Sequence, residues 1–217
     1  MLKDMLKKLT SGISAGILIG IGGSVYLGCT GNRYVGAILF SVALLCICYR
    51  GYALFTGRVG FLPEDHSKEA WIVLGFALLG NTIGAIGAGQ VIRRVIPNFG
   101  QIAEELCAAK MESQQLWQTL LRAVFCGILM YLAVSIYRDK KTPLGILLCI
   151  PTFILAGFEH SIADMFYFGA AGYLDPGALL YLLVVVIGNA IGGVLLPLLN
   201  GVWNTGKEKQ PEEGEKS

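Results

Sequence analysis

Gly157-Phe158-Glu159-His160-Ser161-Ile162-Ala163-Asp164-Met165-Phe166 sets two carboxylates and an imidazole inside a segment that is otherwise apolar from about Leu144 to about Ala170. A run of that length and composition reads as a membrane span. Ionisable groups at membrane depth cost about 3 kcal/mol or more each unless they are paired or hydrated, so their presence there points to function. Gly157 stands just ahead of the cluster, where it lets a helix break and turn its backbone groups toward a cavity. An interhelical hydrogen-bond knot is the competing reading, but one His and two carboxylates within six residues exceed what packing requires.

The rest of the chain fits that setting. Apolar residues make up 54% and charged residues 15% of the 217 positions, against about 25% charged in soluble domains. One polytopic membrane domain over residues 1–203 is expected, its repeat halves at about 11–97 and 116–203, followed by a charged cytoplasmic tail at 204–217. A net charge of +2 gives no footing for a nucleic-acid partner. The six cysteines lie mostly in apolar segments without metal spacing and read as buried thiols. The first apolar run shows no convincing cleavage site for a signal peptide.

Six spans are predicted. A short amphipathic stub (Met1–Thr10) precedes span one at Ile13–Leu27. Span two runs from about Val35 toward Phe61 but is interrupted near Gly51. Span three is Trp71–Ile92, span four Leu116–Tyr137, span five Leu144–Ala170 and span six Gly177–Trp203. Residues 98–115 are polar and read as a short surface helix. Six spans put both termini on one side. The lysines and arginines of the N-terminal stub, the loops at 58–68 and 138–141, and the tail share that side, which makes it cytoplasmic by the positive-inside rule.

The halves repeat. Gly80-Asn81-Thr82-Ile83-Gly84-Ala85 returns 108 residues later as Gly188-Asn189-Ala190-Ile191-Gly192-Gly193. Gly51-Tyr52-Ala53-Leu54-Phe55-Thr56 returns, more weakly, 106 residues later as Gly157-Phe158-Glu159-His160-Ser161-Ile162. Three spans per half force the halves to run in opposite senses. The pattern is an inverted 3+3 repeat with broken second and fifth helices, and interruptions at matching places mark the transport site.

On these residues the chain resembles the formate/nitrite transporter family over essentially its whole length. The resemblance rests on Leu54-Phe55-Thr56-Gly57, both Gly-Asn-x-x-Gly motifs and Phe158-Glu159-His160-Ser161-Ile162-Ala163-Asp164-Met165. Trp117-Gln118, Cys126 and Leu132-Ala133-Val134 in span four add to it. It implies an aquaporin-like all-α protomer, a homopentamer with one pore per protomer, and passage of small monovalent anions or their neutral acids. It also implies that Thr56 and His160 meet at mid-pore. The chain departs from the family pattern at Ala53, where an acidic residue is usual, and at Gly127 and Arg58, where Asn is usual. Lys110 stands about one residue out of register for the family's vestibule lysine.

The chemistry that follows is a desolvation argument. A bare anion in an apolar constriction loses its hydration, whereas the corresponding weak acid is neutral and loses far less. A pore can therefore attract the anion with basic residues at its mouths, protonate it, and let the acid cross. Leu54, Phe55 and Phe158 are the candidate constriction residues; Lys110 and Arg58 are the candidate vestibule charges, on opposite sides. His160 can donate a hydrogen bond to the substrate. Glu159, Asn81 and Asn189 are expected to support the broken loops, Glu159 through backbone amides, with Asp164 a structural neighbour of His160 and His66 a solvated loop residue. The expected function is transport of formate, nitrite, hydrosulfide or short monocarboxylates, proton-linked at His160, with no enzymatic activity and no cofactor. A neutral-solute pore for water or ammonia is the alternative. An intramembrane metalloenzyme built on Glu159, His160 and Asp164 is a poorer one, because the only other histidine is His66, on a loop.

Overall fold

The structure, a computed structural model, describes residues 2–113 and 115–201. It contains helices α1 (Leu2–Gly28), α2 (Arg33–Arg50), α3 (Phe55–Arg58), α4 (Lys68–Val95), α5 (Pro97–Ser113), α6 (Leu116–Lys140), α7 (Leu144–Ala156), α8 (Ser161–Ala171) and α9 (Pro176–Leu199), with a 3-10 turn at Val59–Phe61 after α3. Helices α1, α2, α4, α6 and α9 are each long and apolar enough to cross a membrane, and α7 and α8 together form a sixth span bent by 54°. The charged segment 204–217 lies outside the described residues.

The inverted repeat is visible in the packing. In the first half α1 lies along α4, and in the second α6 lies along α9. Both seams are made by glycines whose missing side chains let backbones touch, the usual means of helix association where lipid removes the hydrophobic drive. A Cβ on Gly80 would stand 2.8 Å from Gly12 Cα, and one on Gly188 would stand 2.7 Å from Leu120 O. Gly127 has the same duty. A Cβ there would come within 2.9 Å of Gly193 N and closer still to Asn189 O, so no side chain fits at this position. The two halves are joined where α8 crosses α4 and α2 meets α7.

Two expectations are corrected. The N-terminal stub is not separate from span one, because α1 is continuous from Leu2. Gly12, between Thr10 and Ile13, packs against α4 instead of ending the helix, and Thr10 and Ser14 return their hydroxyls to carbonyls three or four residues back. Lys8 ion-pairs with Asp4 and with Glu69 of α4, 2.6 Å away. Residues 97–113 are not merely a surface helix either: Gly100, Ala103 and Cys107 of α5 are buried, and the helix packs on α8. Its small inward residues permit that approach.

Candidate permeation site

The two helix breaks are built alike. Gly51 ends α2 with φ +67, and Gly157 ends α7 with φ +73, left-handed conformations that glycine adopts without penalty. Each closes its helix with the same bond pair. Gly51 and Tyr52 donate N–H to Cys48 O and Ile47 O; Gly157 and Phe158 donate to Ile154 O and Phe153 O. Beyond each glycine the chain is extended and then starts a new half-helix, leaving backbone groups without helical partners.

Two asparagines take up those groups in matching fashion. Asn81 accepts the Phe55 N–H at 2.8 Å and donates at 2.8 Å to both Ala53 O and Gly12 O. Asn189 accepts the Ser161 N–H at 2.8 Å and donates at 2.8 Å to both Glu159 O and Ala123 O. Each is fully buried and ties a break to the neighbouring helix. The weaker of the two sequence repeats therefore aligns the breaks in register, with Leu54 at the place of His160.

The breaks meet at the centre of the protomer. His160 Nε2 lies 2.9 Å from Thr56 Oγ1, with the two residues 3% and 1% exposed. His160 is also the N-cap of α8: its Nδ1 accepts the Ala163 N–H at 3.1 Å. A nitrogen that accepts carries no proton, so the proton of the neutral ring sits on Nε2 and is donated to the Thr56 hydroxyl oxygen. That leaves the hydroxyl hydrogen free to point elsewhere. Phe153 stacks on the imidazole at 5.5 Å and 11°, fixing the ring plane.

A cavity opens at each end of the bundle. One, of about 390 Å³, lies at the Arg33 end of α2 and the N-terminal half of α6; His160, Phe158, Lys110, Arg33 and Arg122 face it together with Glu159 and Asp164. The other, of about 380 Å³, lies at the opposite ends of α2 and α6, faced by Leu54, Gly57, Arg58, Phe61, Arg138 and Lys141. Thr56 faces neither cavity and, with His160, stands between them.

The structure thus brings His160 and Thr56 together, sets Phe158 at the first cavity and Leu54 at the second, and puts Lys110 and Arg58 at opposite ends. Phe55 is buried but lines neither cavity; its backbone N–H is what the Asn81 clamp uses. Lys110 is not a free cation. It ion-pairs with the buried Glu159 carboxylate and lies 3.2 Å from Asp164 Oδ1. The Glu159 side chain thus meets Lys110, while its backbone carbonyl is held by Asn189. Arg33, Arg122, Arg138 and Lys141 were not among the candidate residues. Arg122 alone had a sequence signal, a charge within span four; the others become cavity residues only through tertiary packing.

A six-span bundle of inverted halves, with broken helices meeting at a buried polar pair between two vestibules, is the architecture of a membrane channel or transporter. The sequence matches the formate/nitrite transporter family over residues 2–203, and the chain belongs to that family. It is 28% identical over 198 residues to the nitrite transporter NirC of Salmonella typhimurium, covering 79% of this chain and 71% of that protein. It is 26% identical over 212 residues to the formate-nitrite transporter of Plasmodium ovale, covering 86% and 68%. Among solved structures, it superposes on a pentameric formate channel with formate bound at a TM-score of 0.75 and 24% identity, covering 93% of this chain and 96% of that one. An FNT family ion channel gives 0.76 at 24% identity, covering 92% and 90%.

Proposed function

We propose that the chain conducts small monovalent anions of the formate and nitrite type, with hydrosulfide and short monocarboxylates in the same class, and that they pass the centre as neutral acids. The observation that carries this is the Thr56–His160 hydrogen bond, buried between two cavities that basic residues line. An anion drawn into either vestibule meets apolar side chains, Phe158 on one side and Leu54 on the other, that strip its water. At the midpoint it finds one donor system, the Nε2–H of His160 and the Thr56 hydroxyl. Protonation from vestibule water, favoured as the anion loses hydration, lets the acid exchange hydrogen bonds with that pair and move on. His160 serves as an oriented donor whose Nδ1 stays occupied by α8, so it need not surrender its own proton. In this reading Glu159, Asn81 and Asn189 support the loops.

The chain is proposed to assemble as a homopentamer with one pore per protomer, in the cell membrane with both termini cytoplasmic. The exposed apolar faces of α2, α4 and α9, such as Ile38, Val42, Leu79 and Leu183, suit lipid or neighbouring protomers. The family membership and the pentameric neighbour support this reading. Proteoliposome uptake of formate, nitrite, hydrosulfide, acetate and lactate, beside water and ammonia, tests it. Saturable uptake of the weak-acid anions is expected. Permeation of water or ammonia alone would replace this reading with the neutral-solute pore.

A further inference from the structure

An arginine that lines the second cavity, Arg138, is already paired with a carboxylate from outside that lining. Glu64, on the loop after the 3-10 turn, sets its oxygens on the fork of Arg138: Nη1 to Oε2 at 2.8 Å and Nη2 to Oε1 at 3.0 Å. Asp139 takes the Nε at 3.2 Å, and the guanidinium carbon lies 4.1 Å from the centroid of the Phe61 ring. Arg138 is therefore oriented from two sides while its fork faces a two-oxygen ligand. That planar, two-pronged geometry is the one guanidinium uses to recognise carboxylates, and nitrite offers a similar pair of oxygens. Arg58 and Lys141 face the same cavity, and neither has an acidic partner among the ion pairs of the described residues. Lys141 ends α6 with φ +54, the one non-glycine residue with positive φ among the described residues. Glycine or asparagine would hold that position at lower cost, so a lysine there is consistent with use of its side chain at the cavity.

We propose that the Nη fork of Arg138 is a docking site for small carboxylate and nitrite-type anions entering the second cavity, and that Glu64 is its displaceable internal ligand. The loop carboxylate then competes with the entering anion and sets its apparent affinity from that side. The pair is open enough to exchange, with Arg138 at 45% and Glu64 at 28% side-chain exposure. An exposed pair of this kind favours contact by only about two- to fivefold. When Glu64 leaves, the Phe61 face and Asp139 keep the guanidinium in place. This proposal rests on the small-anion reading above.

The test is line broadening of ¹³C-formate by the full chain in detergent, at constant ionic strength, for wild type, E64Q, R138Q and the double variant. Binding elsewhere in the pore responds only to the change in vestibule charge, which would return the double variant to the wild-type value. E64Q is expected to bind formate about two- to fivefold more tightly than wild type. R138Q should bind it more weakly, and the double variant should follow R138Q. Should E64Q not assemble, E64D supplies the same comparison: its carboxylate is withdrawn by one methylene, and it should shift in the same direction by less. Equal affinities in wild type and the assembled Glu64 variant, or a double variant that keeps the gain, would overturn the proposal. Formate flux by wild-type proteoliposomes is scored separately. Absent flux with tightened E64Q binding would remove the transport reading and leave the docking site standing.

Discussion

His160 does two things that can be separated by substitution. Nδ1 caps α8 through Ala163 N–H, and Nε2 meets Thr56. Asn is a strong N-cap and retains an amide donor, so His160→Asn is expected to assemble normally and to conduct with altered selectivity, read by stopped-flow uptake. His160→Phe loses the cap, which costs about 0.5–2 kcal/mol, and leaves Thr56 facing a ring without a donor; it should still form the oligomer but show nearly abolished flux. Thr56→Val, matched in shape but without the hydroxyl, should reduce flux at least tenfold, while Thr56→Ser should restore most of it. Asn189 is the contrasting case. Asn189→Ala strands Ser161 N–H and Glu159 O in a buried setting and removes the tie to Ala123 O, which keeps its own helical bond within α6. Each unpaired group there costs about 1–3 kcal/mol. Expression and assembly should therefore fall together with flux, a loss visible on size-exclusion chromatography before any transport assay.

At the scale of the element, the breaks depend on two left-handed glycines. A Cβ at Gly157 would find open space, with Arg122 Nη1 at 3.9 Å its nearest neighbour. Gly157→Ala therefore adds only backbone strain, about 1–2 kcal/mol, and should appear as a lowered thermal midpoint of a protein that still assembles. Gly192→Ala is different in kind, because its Cβ would overlap Val124 O and stand 2.8 Å from Val124 C, backbone that cannot move aside cheaply. That variant is expected to separate α6 from α9 and fail to assemble. This contrast also marks what the sequence could and could not tell. The breaks, the glycine seams and both asparagine clamps were legible, because the same short motifs recur at nearly constant spacing in the two halves. The extent of α1 was not, since nothing local ends the amphipathic stub and its ion pair to Glu69 comes from another helix. Nor was the seating of Lys110 between Glu159 and Asp164, which depends on how α5 docks on α8.

For the whole molecule, the protomer is closed at its centre and open at both ends, and its apolar outer faces call for lipid or further protomers. Native mass spectrometry in mild detergent is expected to show five copies; a monomer or dimer across a range of concentrations would count against that assembly. Charge is distributed unevenly between the two ends. The first cavity sets Arg33, Lys110 and Arg122 against Glu159 and Asp164, whereas the second has Arg58, Arg138 and Lys141, with Glu64 holding Arg138 from the loop. The central claim is that the substrate crosses the Thr56–His160 midpoint as a neutral acid. It is tested most directly by formate uptake into proteoliposomes of verified oligomeric state at a fixed anion gradient, as external pH is lowered from about 7.5 to about 5.5, over which the neutral fraction of a weak acid rises about a hundredfold. Wild-type uptake is expected to rise through that range and His160→Phe uptake to stay near background at every pH. Flux that is flat or rises with alkalinity in the wild type, or wild-type rates in His160→Phe, would contradict the account.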